Sequence, residues 1–262
     1  MKSNVSVITD SRNGITFLKD SFHSVPFKIA DVREDKSQSC LDIMLMSSSP
    51  GILDGDAYQL DIAVNANCAL HLKTQSYQRI FTMKKSAQQV FKVIIKENGF
   101  FQYIPHPTVP HSDSNYCGIN DIYLHQGAGV IWSDITSCGR KLNGEQFAYK
   151  RLENKTTFYV DDQPVVIEHI LFQPKKSNPL QMGQLEGFTH NASLFIISDK
   201  IPVAELKRHV DGYLENEKDL SFGSSEAPLN GLIVKILANQ SERIFAVISA
   251  LADQIRKDYF DL

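Results

Sequence analysis

Four times in this chain a run of β-branched and aromatic residues breaks at a short Asn, Asp or Gly turn and then resumes, with about thirty residues from one unit to the next. The units read LDIAV-NAN-CALHLKT, VFKVII-KENG-FFQYIP, NDIYL-HQGAG-VIWSDI and TTFYV-DDQP-VVIEHIL. This composition is that of paired strands, with Asn98-Gly99 and Gly127-Ala128-Gly129 read as hairpin turns. The rhythm predicts a mainly β chain of stacked strand-turn-strand units, β-helix-like. No unit repeats strictly, so an ordinary meander in a sandwich also fits the pattern.

The stretch Ser47 to Phe81 carries the densest set of signals. Ser49-Pro50-Gly51 is a turn in which proline presets φ. Asp54 and Asp56 flank Gly55. Tyr58, Leu60, Ile62 and Val64 then alternate with polar residues, the period of a half-buried strand, and Thr74-Gln75 closes the returning one. Residues 1–14 are polar and read as a short or frayed leading segment, and Val25-Pro26-Phe27 as an edge segment, since proline donates no ladder bond. The period changes late. Val203, Leu206, Val210 and Leu214 mark one helix; Ile244, Val247, Ile248, Leu251, Ile255 and Tyr259 mark a closing one. Asn239 and Glu242 resemble a capping box for the latter. Residues 218–230 read as a loop. Both helices are expected to cover the open face of a β body.

At 262 residues the chain is expected to form one domain, residues 1–262. A formal net charge of −3 with no long basic block gives no reason to expect nucleic acid or an anionic membrane as partner. No secretory signal or membrane-spanning run stands out, and four scattered cysteines without a CxxC fit reduced thiols, so a cytoplasmic protein is expected.

The chain lacks GxxxxGK[ST], a strand-to-helix GxGxxG and a GxSxG elbow. No histidines pair at zincin spacing. His106 and His111, in a proline-extended stretch, are candidates to face one ion. The carboxylates Asp54, Asp56, Asp134, Glu145 and Glu168 suit a hard or borderline divalent ion held transiently. Arg140 and Glu145 flank a Gly-Asn turn, which also suits a simple ion pair.

These residues resemble the urease accessory protein family UreD, also called UreH, along nearly the whole chain. The family's SPGG-xx-GD turn is matched by Ser49-Pro50-Gly51-Ile52-Leu53-Asp54-Gly55-Asp56, with Ile52 in place of the second glycine. Its TTQ-xxx-K segment resembles Lys73-Thr74-Gln75 with Arg79 in place of the lysine, and its Pro-x-Pro stretch resembles Pro105-His106-Pro107. Gly139, Arg140, Gly144, Glu145 and Phe147 reproduce its GR-xxx-GE-x-F motif, and Asp134 and Glu168 match acids before and after it. The closing strand Gly231 to Leu237 resembles the family's GL-V-V-R-x-L.

The resemblance implies a β-helix-like stack with two helices and no enzymatic activity. It implies partners, UreF and the GTPase UreG, with which such a protein docks on urease subunits to deliver nickel through an internal passage, with no tightly bound cofactor and only transient nickel. It leaves room for a dimer of the accessory complex. On this reading Asp54, Asp56, Asp134, Glu145 and Glu168 are candidates to line the passage. Transient nickel would fall to Asp56, Asp134, Glu168, His106 and His111, with Thr74, Gln75, Arg79 and Arg140 orienting the acids or holding the motif. The alternative is a β-helical hydrolase working with paired carboxylates.

Overall fold

A computed structural model describes all residues 1–262. From residue 40 to residue 160 the chain alternates between two sheets. The first has seven strands in the order β14 (Gln163–Phe172), β13 (Arg151–Val160), β11 (Asn115–Leu124), β8 (Ala87–Ile95), β5 (Ala57–Val64), β1 (Lys2–Arg12), β2 (Ile15–His23). The second runs β16 (Leu220–Ala227), β17 (Gly231–Ala238), β15 (His190–Ser198), β12 (Gly129–Ser137), β9 (Phe100–Tyr103), β6 (Ala69–Thr74), β4 (Cys40–Ser47), β3 (Phe27–Asp31). The short β7 (Gln78–Ile80) and β10 (Thr108–Pro110) join its rim.

The thirty-residue rhythm is a parallel stack. Ala57 pairs in register with Gln88, Gln88 with Cys117, and on the other sheet Ala69 pairs with Phe100 and Phe100 with Gly129. The turns at Asn65–Asn67, Asn98-Gly99 and Gly127–Gly129 are therefore not hairpins. Each carries the chain across from one sheet to the other, and the strands it joins do not pair. Asn67 and Asn98 take φ of 56°, which asparagine tolerates better than most residues, so the same turn chemistry serves an arch as well as a hairpin. Only the fourth unit is a true hairpin, β13 against β14.

Three further expectations are corrected. The leading segment is a full strand, β1, because Val5 and Val7 alternate into the core and its backbone pairs with both β2 and β5. The stretch 218–230 contains β16, a polar strand held by pairing with β17. The last helix has Gln240 as N-cap with no side-chain cap bond, and Asn239 instead accepts from the Thr189 hydroxyl at 3.0 Å.

The inner faces of the two sheets pack together around a core that includes Leu60, Phe91, Ile122, Phe158, Leu72, Trp132 and Phe195. The outer face of the second sheet (Ile131, Leu194, Ile196, Val234, Ile236) is covered by helices α1 (Val203–Glu215) and α2 (Ser241–Phe260) through Leu206, Val210, Leu214, Ile248 and Leu251. β12 and β15 thus bury both faces, which explains their unbroken apolar runs. Polar ties add to the α2 contact: Gln102 donates to Asp253 at 3.2 Å, and Arg256 lies beside Asp42.

Candidate functional site

Parallel register writes the interior of the sandwich in rows. Val7, Ile62, Val93, Ile122, Phe158 and Val166 form one row across the first sheet, apolar throughout. Two residues earlier along the strands, the row begins Val5, Leu60, Phe91 and then turns polar: Asn120, Thr156, Glu168. The next row is Ser3, Tyr58, Gln89, Gly118 and Asn154. Opposite, the second sheet sets Asp134, Ser193 and Lys235 side by side on β12, β15 and β17.

The facing polar rows meet. Thr156 donates to Asp134 Oδ2 at 3.0 Å, Trp132 Nε1 donates to the same oxygen at 2.9 Å, and Asn120 donates to Thr156 at 2.9 Å. Ser193 donates to Glu168 Oε2 at 2.7 Å, and Lys235 donates to Glu168 Oε1 and to Ser193. Burial pushes the Asp134 carboxyl above the usual carboxylate range, against the hydrogen bonds that favour its charged form.

This seam continues into two adjoining cavities. The inner one is walled by Asp134, Asn120, Asn154, Thr108, Tyr116 and Trp132, and shares Gln78, Gln89, Tyr103 and Pro105 with an outer one. The outer cavity is lined by the Ser49–Ile52 turn, Tyr58, Thr74 to Gln78 and His106. Gln78 donates to Gln89 at 3.0 Å and accepts from Thr108 at 3.2 Å, so amides bridge the junction. Gly118 makes room for it: a Cβ there would sit 2.6 Å from Asn154 Oδ1.

The site candidates divide. Asp134 and Glu168 share the seam. Thr74 and Gln75 line the outer cavity, where Thr74 Oγ1 accepts from the His106 backbone N–H at 2.9 Å and lies 2.9 Å from its Nδ1. The His106 ring stacks on Phe245 of α2 with centroids 4.3 Å apart. Asp56 is tied into its turn, accepting from the Leu53 N–H, the Tyr58 hydroxyl and the Met1 ammonium at 2.7 to 2.8 Å, and touches the cavity only through Tyr58. Asp54 accepts from the backbone N–H groups of Lys84 and Lys85.

Glu145 pairs with Arg140 and accepts from the Ser112 N–H in a loop, with His111 nearby and packed on Phe81. Arg79 is exposed and makes no ion pair with any of these acids; its carbonyl accepts from Ile52, and Gly51 allows that approach because a Cβ would lie 2.3 Å from the carbonyl oxygen. His106 and His111 therefore occupy different surroundings. No group of three or more His, Cys, Asp and Glu is arranged to hold a metal. Gln78, Gln89, Asn120, Asn154, Thr156 and Ser193 were not singled out from the sequence; their only signal is inward parity, which needs the register to be read. Lys235 stood at the basic position of the closing-strand motif but was not named as a site residue.

The sequence matches the UreD urease accessory protein family over residues 2–262. Among curated relatives, the urease accessory protein UreD of Flavobacterium johnsoniae is 37% identical over 246 residues, covering 94% of this chain and 89% of that protein. The UreD proteins of Haemophilus influenzae and Acetivibrio thermocellus are 33% and 30% identical, covering 97% and 91% of this chain and 100% and 91% of their own lengths.

Proposed function

This chain belongs to the UreD family of urease accessory proteins, and from that premise we propose that it conducts nickel ions to apo-urease through the polar seam between its sheets, in complex with UreF-like and UreG-like partners. The observation that carries the reading is that Asp134 and Glu168, on opposite sheets, are each bonded by a hydroxyl of the other's sheet, Thr156 and Ser193, in one polar layer continuous with amide-lined cavities.

A divalent ion crossing a protein interior must exchange hydration water for other oxygen donors. The amides of Gln78, Gln89, Asn120 and Asn154, the hydroxyls of Thr108, Thr156 and Ser193 and two carboxylates supply them in series. No cysteine lines either cavity. A path of oxygen donors without thiolates binds a borderline ion such as Ni²⁺ weakly enough to release it. The GTP chemistry would belong to the UreG-like partner, in keeping with the absence of a phosphate-binding motif in this sequence.

Asp134→Ala and Glu168→Ala are expected to lower the nickel content and activity of urease matured in cells expressing the urease subunits and all other accessory proteins. Co-purification with the UreF-like partner should persist. Loss of complex formation in both variants would make these acids structural and sink the proposal.

A further inference from the structure

The seam contains one basic side chain, and it stands at the rim. Lys235 is in register with Ser193, which is in register with Asp134, so the three project from one row of the second sheet. Its ammonium bonds Glu168 and, at 2.8 Å, Ser193, while Ser193 bonds the other oxygen of the same carboxylate. The Lys235 side chain is 51% exposed and that of Glu168 only 10%, so the cation lies on the solvent side of the acid. Three features of this arrangement matter. An ammonium held by carboxylate and hydroxyl oxygens occupies the place that oxygen donors would offer a metal ion. A lysine is a compact point charge on a flexible stem, able to swing off its partner in a way that a forked guanidinium resists. With half of its side chain in solvent, the lysine can return to water when it leaves, and the incoming ion takes over the carboxylate it vacates.

We propose that Lys235 is a tethered cation that closes the rim of the seam, and that a divalent cation enters or leaves there only by displacing it from Glu168. The proposal rests on the nickel-passage reading and names its gate. A monovalent plug fits that position because it cancels the charge of Glu168 while the passage is empty. It then yields to a doubly charged ion that gains more from the same carboxylate.

The deciding experiment is Ni²⁺ binding to the purified full-length chain by equilibrium dialysis, with the thermal midpoint reporting the fold. Lys235→Gln is expected to bind Ni²⁺ at least about tenfold more tightly than the wild type, since one competing positive charge is gone. Adding Glu168→Gln should abolish the gain. Lys235→Arg should bind no more tightly than the wild type. Lys235→Met, which keeps the apolar stem, serves if Lys235→Gln does not fold.

Folded Lys235→Gln or Lys235→Met protein that binds Ni²⁺ no better than the wild type overturns the gate. The two readings fail separately. If Asp134→Ala and Glu168→Ala lose urease loading while the lysine variants gain no affinity, only the gate is wrong. If the acid variants load urease normally, the passage is wrong, and the gate with it.

Discussion

Between the same two sheets, the row from Val7 through Ile122 and Phe158 to Val166 is dry and apolar, whereas the row two residues away runs from Val5 and Leu60 into Asn120, Thr156 and Glu168. Backbone, register and strand pairing are shared, so the difference is one of side chains alone. The aromatic group Phe91, Tyr103 and Trp132, with ring centroids 4.8 to 5.2 Å apart, divides the halves. Apolar burial holds the sheets together at one end. At the other, polar groups must be hydrogen-bonded to one another merely to break even. The lesson is that a rigid half allows a polar half to exist.

The comparison breaks first, and with the largest effect, at Phe158. This side chain is fully buried and meets Phe195 of the opposite sheet at a centroid distance of 5.1 Å. Phe158→Ala is expected to cost about 3–5 kcal/mol in denaturant unfolding. A loss under about 1 kcal/mol would mean the apolar half is not what carries the sandwich.

A buried titratable group outside the seam sharpens the contrast by showing what burial does without an acid nearby. His190, on the helix-facing side of β15, is pulled down to about 4 by burial, with Lys141 adding to the effect. The native ring is neutral, and the unfolded state takes up the proton first as pH falls below about 6.5. Stability is therefore full above that pH and falls by about 3 kcal/mol as pH approaches 4. His190→Gln should flatten this dependence when unfolding free energies are compared at pH 7 and pH 4.5; an unchanged slope would assign it to other groups.

The smallest effect belongs to the polar half itself. Because the native pKa of Asp134 lies above its unfolded value, the native state holds its proton longer as pH rises, and stability falls through that interval and stays lower above it. Asp134→Asn keeps one oxygen able to accept from both Trp132 and Thr156. It is expected to match or exceed the wild type at pH 7 by about 1 kcal/mol, with the gain shrinking towards pH 4. A thermal melt showing a loss of several kcal/mol instead would mean that the seam holds the fold together.

How much of this was legible depended on whether a signal was local. Period-two runs, the thirty-residue rhythm and the late helices came from residues close in sequence, and the stack and both helices are there. β1 was obscured because only Val5, Val7 and Ile8 are apolar among polar neighbours, and β16 because SFGSSEA has no alternation to read. Arch and hairpin share a turn chemistry and differ only in which distant strands pair. The same limit governs the site. Asp134 and Glu168 stood out through resemblance, but Asn120, Thr156, Ser193 and Lys235 become their neighbours only through contacts spanning up to 67 residues.

The boundaries of the parallel stack have a consequence for biosynthesis. Each new rung lies on the edge left by the one before, so a growing chain always presents an open strand as a template for the next. Growth stops where direction reverses: β13 is followed by antiparallel β14, and β12 by antiparallel β15, β17 and β16. A nascent chain that stalls after β12 would display sticky parallel edges on both sheets, with an uncovered apolar face where α1 and α2 belong. The last hundred or so residues thus act as a stopper, turning an extendable lattice into a finite body.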